Sequence, residues 1–179
     1  YSEPPQIAVS PSGQNVYVVW RCPRELGKYV QTWFARSTNR GESFEPRTNP
    51  TRLPYHGEYS PDVAALGEDR VYMALTLDQY GDRHTYFALS RQSGASGSFS
   101  FPLQLSESAG CFDATIAAAE PGWVCVTWRQ SAQEEAGLFY RCSPNYGHAF
   151  WPATELALLP EAAEQHRPAP SLWRDRSNT

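Results

Sequence analysis

Lysine is almost missing from this sequence: of 15 basic residues only Lys28 is a lysine, and the formal net charge is −4. A chain with that balance has no general attraction for nucleic acid or for an anionic lipid surface, so neither is expected as a partner. No apolar run approaches the length of a membrane-spanning helix, and a membrane role is not expected. The four cysteines, Cys22, Cys111, Cys125 and Cys142, lack the close pairing of a zinc site. His56, His84, His148 and His166 are scattered over different segments. No metal and no cofactor is therefore expected. Apolar stripes at helical spacing are also few. The first residues show neither a charged n-region nor an apolar h-region, so no compartment can be read from them.

What is present points to strands. Hydrophobic residues make up 41%, aromatics 13%, and 15 prolines punctuate the chain, a composition that favours an all-β protein with many turns. One stretch organises the rest: Ser37-Thr38-Asn39-Arg40-Gly41-Glu42-Ser43-Phe44 returns as Ser143-Pro144-Asn145-Tyr146-Gly147-His148-Ala149-Phe150. A damaged copy, Ser90-Arg91-Gln92-Ser93-Gly94 followed by Phe99 and Phe101, lies between them. The three serines are 53 residues apart each time (90 − 37 and 143 − 90). Short strands repeating near that period are the signature of propeller blades.

The strands follow the same step. Gln6-Ile7-Ala8-Val9 reads as an innermost strand, and Val16-Tyr17-Val18-Val19-Trp20-Arg21 as a second strand that returns at Val71 to Leu75 and at Val124 to Arg129. A third strand ends at each serine: Thr32 to Arg36, Thr85 to Leu89 and Leu138 to Cys142. Beyond each box an aromatic and a proline lead to a weaker outer strand, as suits a sheet edge. Later inner strands are expected at Val63 to Ala65, Ile116 to Ala118 and Ser171 to Trp173. The blades then run over about 6–54, 61–106 and 114–160 of a single segment spanning 1–179, with an extra inner strand at about 168–174.

The pattern Ser-x-Asn-x-Gly-x-x-Phe resembles the Asp-box of the sialidase-like (BNR-repeat) β-propeller family, whose usual form is Ser-x-Asp-x-Gly-x-x-Trp. Asn39 and Asn145 stand where that family has Asp, and Phe44 and Phe150 where it has Trp. The resemblance gives structural roles to Ser37, Asn39, Gly41, Phe44, Ser90, Gly94, Ser143, Asn145, Gly147 and Phe150. Ser and Asn would bond nearby amides, Gly would supply a positive φ, and the ring would plug the hairpin against the blade. It implies blades of four antiparallel strands, with boxes on the side away from the ligand site, and a secreted or cell-surface setting.

A closed propeller takes at least four blades, so three leave two sheet faces in water. Either the chain is part of a longer propeller, or copies of it close the ring together. Two copies would give six blades, and a homodimer is the expected partner. Cys125 and Cys142 fall on neighbouring antiparallel strands; a cross-strand disulfide and two buried free thiols are both open.

With the boxes on the lower face, the upper rim gathers Arg21, Tyr59, Asp62, Arg83, His84, Asp113, Arg129, His166 and Arg167 as candidate ligand residues, suited to a carboxylated or hydroxylated sugar. No catalytic residue can be assigned. The family's first clamp arginine belongs to an Arg-Ile-Pro type motif, where this chain has Pro5-Gln6-Ile7, and Arg167 is followed by Pro168-Ala169. Glu58 and Tyr59 are adjacent, so on a strand they point to opposite faces. The reading carried forward is a non-catalytic unit for glycan or protein recognition, or a scaffold, that closes its ring by self-association. The alternative is an exo-sialidase-like glycoside hydrolase with a composite site at the axis.

Overall fold

The computed structural model describes residues 3–23, 30–53, 56–131 and 136–158. Among them there is no helix. Eleven strands run in chain order: β1 Gln6–Val9, β2 Val16–Pro23, β3 Val30–Ser37, β4 Gly57–Leu66, β5 Arg70–Gln79, β6 Asp82–Ser90, β7 Leu103–Gln104, β8 Cys111–Ala119, β9 Trp123–Ser131, β10 Ala136–Ser143 and β11 Thr154–Leu158. They form three antiparallel sheets, β1-β2-β3, β4-β5-β6-β7 and β8-β9-β10-β11, each pairing strands in sequence order. The chain is all-β and built of propeller-like blades.

Long β-branched and aromatic second strands hold each sheet together. Val16 lies opposite Ser37, Val71 opposite Ser90, and Val124 opposite Ser143, so the three sheets share one register against their box serines. Two apolar cores lie between the sheets. One contains Tyr17, Val19 and Phe34 of the first sheet with Val63, Val71 and Met73 of the second. The other contains Tyr72, Ala74 and Phe87 of the second with Ile116, Val124 and Val126 of the third. Alternate residues on a strand face opposite sides, so β5 feeds one core with Val71 and Met73 and the other with Tyr72 and Ala74.

At each box serine the chain turns through an amide cradle. The Ser37 hydroxyl donates to Asn39 Oδ1 at 2.7 Å and accepts from the Gly41 amide at 2.9 Å; Asn39 Oδ1 in turn accepts from the Ser43 amide at 3.0 Å. Ser143, Asn145, Gly147 and Ala149 repeat this at 2.8, 3.0 and 3.0 Å. In the middle copy Ser90 accepts from the Gly94 amide at 3.0 Å, and Ser98 takes the place of the lost Asn, with its Oγ 2.6 Å from Ser90 Oγ. Residues 40, 93 and 146, just before the glycines, are all left-handed, with φ of 61, 50 and 62°.

Several expectations are corrected. The second and third inner strands start at Gly57 and Cys111, earlier than read from the sequence, because each carries a bulge that lets an irregular stretch stay paired. The first sheet has no fourth strand among the described residues; a single bridge from Phe34 to Thr48 stands in for it. Pro46 and Pro50 flank that segment and have no amide to give a ladder. In the second sheet β5 extends beyond Leu75 and β6 starts before Thr85, pairing as far as Gln79 with Asp82 through a tight turn in which Tyr80 and Gly81 are left-handed at φ of 59 and 97°. Phe99 and Phe150 pack not against their own hairpins but across to the preceding blade, meeting Phe34 and Phe87 edge-on at 5.1 and 4.9 Å, whereas Phe44 is exposed. Cys125 and Cys142 are directly opposite in register and form a disulfide; Cys22 and Cys111 are free. The expected strand at about 168–174 lies outside the described residues.

Candidate ligand rim

The ends of the sheets opposite the boxes form the upper rim. Register places Gly57 beside Asp78, Gln79 beside Asp82, and Cys111 beside Gln130 there. Both bulges lie just inside this edge, at Ser60 and Asp113, with φ of 48 and 53°. These positions are 53 residues apart (113 − 60), so the bulge belongs to the repeat. It turns each side chain toward the neighbouring blade.

A row of polar groups results, crossing all three sheets. Arg21 Nη1 is 3.0 Å from Glu3 Oε1, Ser60 Oγ lies 3.3 Å from that same oxygen and 3.5 Å from Asp113 Oδ1, and Asp113 Oδ2 is 3.2 Å from Arg129 Nη1. The Ser60 amide also donates to Glu3 Oε2 at 2.6 Å. Beside this row runs an alternation of cation and ring. The guanidiniums of Arg21 and Arg83 each sit 4.8 Å from the Tyr59 centroid, and Arg83 lies 5.3 Å from the Phe112 centroid. Such contacts hold a guanidinium plane against a ring face.

Arg83 Nε bonds Asp78 Oδ2 at 2.9 Å. Partial burial alone would raise the Asp78 carboxyl, but Arg83 and the Gly81 amide outweigh it and hold it below its ordinary value. Three arginines thus meet three carboxylates, and the group as a whole is uncharged. Tyr59 is fitted by Gly57: a Cβ there would lie 2.9 Å from Tyr59 Cε2 and 3.1 Å from its hydroxyl. Only glycine lets the ring fold back over the strand end.

Of the residues singled out from the sequence, the structure brings together Arg21, Tyr59, Arg83, Asp113 and Arg129. Asp62 is not among them; it is buried, and its carboxylate accepts from the Val63 amide at 2.9 Å and the Ile116 amide at 3.0 Å, tying β4 to β8. His84 is also elsewhere, its Nδ1 3.1 Å from Ser106 Oγ and from Gln104 Nε2 at the outer side of the second sheet. His166 and Arg167 lie outside the described residues. Sequence reading missed Glu3, Ser60, Asp78 and Phe112. For Ser60 and Phe112 a signal existed, since Tyr59-Ser60 and Phe112-Asp113 occupy equal repeat positions.

Below the rim, Glu58 faces away from Tyr59. Its carboxylate accepts from the Thr32 amide and the Thr51 hydroxyl, both at 2.5 Å, and is wholly buried. Burial pushes it above the ordinary glutamate range, against the pull of those donors. Among the described residues no group of three or more potential metal ligands occurs.

With this geometry in hand, the likeness to known proteins is one of fold. No family model matches the chain. No curated protein matches it in sequence. Solved structures do. A Hadza microbial sialidase, Hz136, superposes with a TM-score of 0.63 at 12% identity, over 82% of this chain and 36% of that one. A protein of unknown function from Dyadobacter fermentans gives 0.62 at 12%, over 88% and 55%. A structure from the GH130 family of mannoside phosphorylases, which contains glycoside hydrolases that target β-1,2 mannosidic linkages in Candida mannan, gives 0.54 at 15%, over 85% and 47%. The fold is that of sialidase and glycoside-hydrolase propellers. The chain spans between 36% and 55% of these three structures.

Proposed function

We propose that the chain is a non-catalytic unit of a sialidase-like, Asp-box-bearing propeller, completed by self-association, and that it recognises a glycan at its upper rim. The observation that carries this reading is the row Arg21, Glu3, Ser60, Asp113 and Arg129, joined by the Arg83–Asp78 pair. It alternates fixed donors and acceptors, and vicinal sugar hydroxyls, which both give and accept, complement such an alternation. The charges cancel, so a neutral glycan is favoured over a carboxylated one. A sugar carboxylate would first have to displace Glu3, Asp78 or Asp113 from its arginine.

The names of the structural neighbours support a carbohydrate ligand. They also sustain the second reading, an exo-sialidase-like hydrolase with a composite site at the axis. Against it, the rim arginines already have carboxylate partners, and Glu58, adjacent to Tyr59 in sequence, is engaged with Thr32 and Thr51. Calorimetric titration with neutral and sialylated oligosaccharides, run beside a turnover assay on sialoside and mannoside substrates, tests the reading. A neutral glycan should bind, and Tyr59→Ala or Arg83→Ala should weaken it by at least about tenfold. Turnover, or no binding across the panel, overturns it.

A further inference from the structure

We propose that the open face of the first blade is a docking surface for the third blade of a second copy of this chain, with Phe44 and Gly41 of one copy enclosing Tyr140 of the other. This deepens the self-association part of the reading above and rests on it.

The two internal interfaces supply the template. At the first, the Phe34 ring of β3 is gripped from the following blade by Phe99, 5.1 Å edge-on, and by Gly94, where an added Cβ would lie 2.6 Å from the ring. At the second, Phe87 is gripped in the same way by Phe150 at 4.9 Å and by Gly147, again with a Cβ 2.6 Å from the ring. Each grip is a third-strand ring held between the glycine and the aromatic of the next box. Phe34, Phe87 and Tyr140 are separated by 53 residues (87 − 34 and 140 − 87) and stand three before their box serines. Among the described residues the series therefore leaves one ring without a box, Tyr140, and one box without a ring, Gly41 with Phe44. A Cβ on Gly41 would meet nothing nearer than Val16 at 3.9 Å, and Phe44 is 46% exposed.

The surroundings agree. Ile7 and Val9 occupy the register positions of Val63 and Ala65 in the second blade, since Ile7 pairs Val18 as Val63 pairs Met73, and Val9 pairs Val16 as Ala65 pairs Val71. Val63 is 5% exposed, whereas Ile7 is 65% and Val9 49% exposed. An inner-strand face with the composition of an inter-blade core lies in water, which soluble proteins seldom tolerate over a contiguous patch.

A second pair points to the same partner. Arg70, opening β5, lies over the ring of Tyr146 in the next box at 4.5 Å. One repeat on, the position of Arg70 is taken by Trp123 (70 + 53), which is exposed, and the position of Tyr146 in the first box is taken by Arg40. Cation and ring have exchanged places, so a first blade docked on a third blade brings Arg40 over Trp123. A contact that joins the start of one copy to the end of another is repeated by the reverse contact, and the ring closes at six blades with two-fold symmetry.

Light scattering on the full 179-residue chain, with charge-swapped variants, tests the proposal. The wild type should have twice the mass of 20.1 kDa. Phe44→Arg and Tyr140→Glu each put one mismatch into both interfaces of a homodimer, and each alone should weaken association by at least about tenfold. Mixed in equal amounts they should restore the dimer, because one interface is then wild type and the other joins opposite charges. Recovery on mixing shows that neither variant has failed to fold. A wild type that stays at 20.1 kDa, a larger open assembly, or a dimer indifferent to both substitutions overturns the proposal. The two readings fail separately: a dimer that binds no glycan removes only the rim reading, and a glycan-binding monomer removes only this one.

Discussion

The backbone amide of Thr32 in the first sheet donates to the Glu58 carboxylate in the second, 2.5 Å away, so a wholly buried acid ties two blades together. Burial raises the carboxyl, and the folded chain therefore holds a proton on Glu58 more tightly than the unfolded chain does. The stability associated with that proton is complete below the ordinary glutamate value of about 4.3 and is lost as pH rises from there through the raised folded value.

Glu58→Gln should abolish that loss. The amide keeps an acceptor for Thr32, and the Thr51 hydroxyl can instead donate to Asn49 Oδ1, 2.8 Å away, while accepting from the new side chain. Each unit by which the folded value exceeds the unfolded one corresponds to about 1.4 kcal/mol. Denaturant unfolding from pH 4 to pH 8 should show the wild type losing stability relative to the variant as pH rises. Parallel profiles would mean that Glu58 is not held above its ordinary range.

Ser98→Ala should weaken the middle box although Ser98 lies outside the eight-residue motif. Its hydroxyl meets Ser90 Oγ at 2.6 Å and also bonds the Ala95 carbonyl at 2.5 Å, in the role of Asn39 and Asn145 elsewhere. Loss of a half-buried hydroxyl of this kind costs about 1 to 2 kcal/mol, read as a shift in the denaturant midpoint. A Gln92→Ala control should be near neutral, because only the Gln92 backbone takes part in the turn.

These residues also show what could be read in advance. The step of 53, the sheet order and the boxes were legible because each unit repeats the same local chemistry; that Cys125 and Cys142 stand on adjacent strands was legible too, but the direct register that bridges them was not. The bulges were hidden because Ser60 and Asp113 adopt a left-handed backbone that is usual for glycine, so nothing local marks them. The tightness of the turn between β5 and β6 was hidden for the same reason, Tyr80 occupying a turn position where Asn or Gly would be the signal. Glu3 could not be found at all, since its place on the rim depends on how the strands of two blades align. The rim arginines were legible as residues, but which carboxylates they pair with was not, and that pairing alters the ligand they suit.

Reduction should destabilise the third blade. The Cys125–Cys142 bridge closes a loop of 17 residues, and a loop of that size is associated with about 3 kcal/mol. Thermal unfolding with and without a phosphine reductant should separate accordingly. The Cys125→Ala/Cys142→Ala chain should match the reduced wild type, with Cys22 and Cys111 unaltered. A reductant effect that survives in the double variant would trace to those two thiols instead.

Tyr59 offers the sharpest test of the rim, because its position can be disturbed without removing it. An added methyl at Gly57 would press on Tyr59 Cε2 at 2.9 Å and on its hydroxyl at 3.1 Å, and the ring must swing away from the guanidiniums of Arg21 and Arg83. Gly57 has no positive φ, so alanine imposes no backbone strain, and the melting temperature should move by only about 2 to 4 °C. Glycan affinity should fall by at least about tenfold if the ring orders the two arginines. Tyr59→Phe keeps the ring in place and removes only the hydroxyl. If Gly57→Ala loses binding and Tyr59→Phe retains it, the ring acts as the platform that positions Arg21 and Arg83. If Tyr59→Phe loses as much, the hydroxyl itself touches the sugar, and the cation and ring alternation serves only to hold that hydroxyl at the rim.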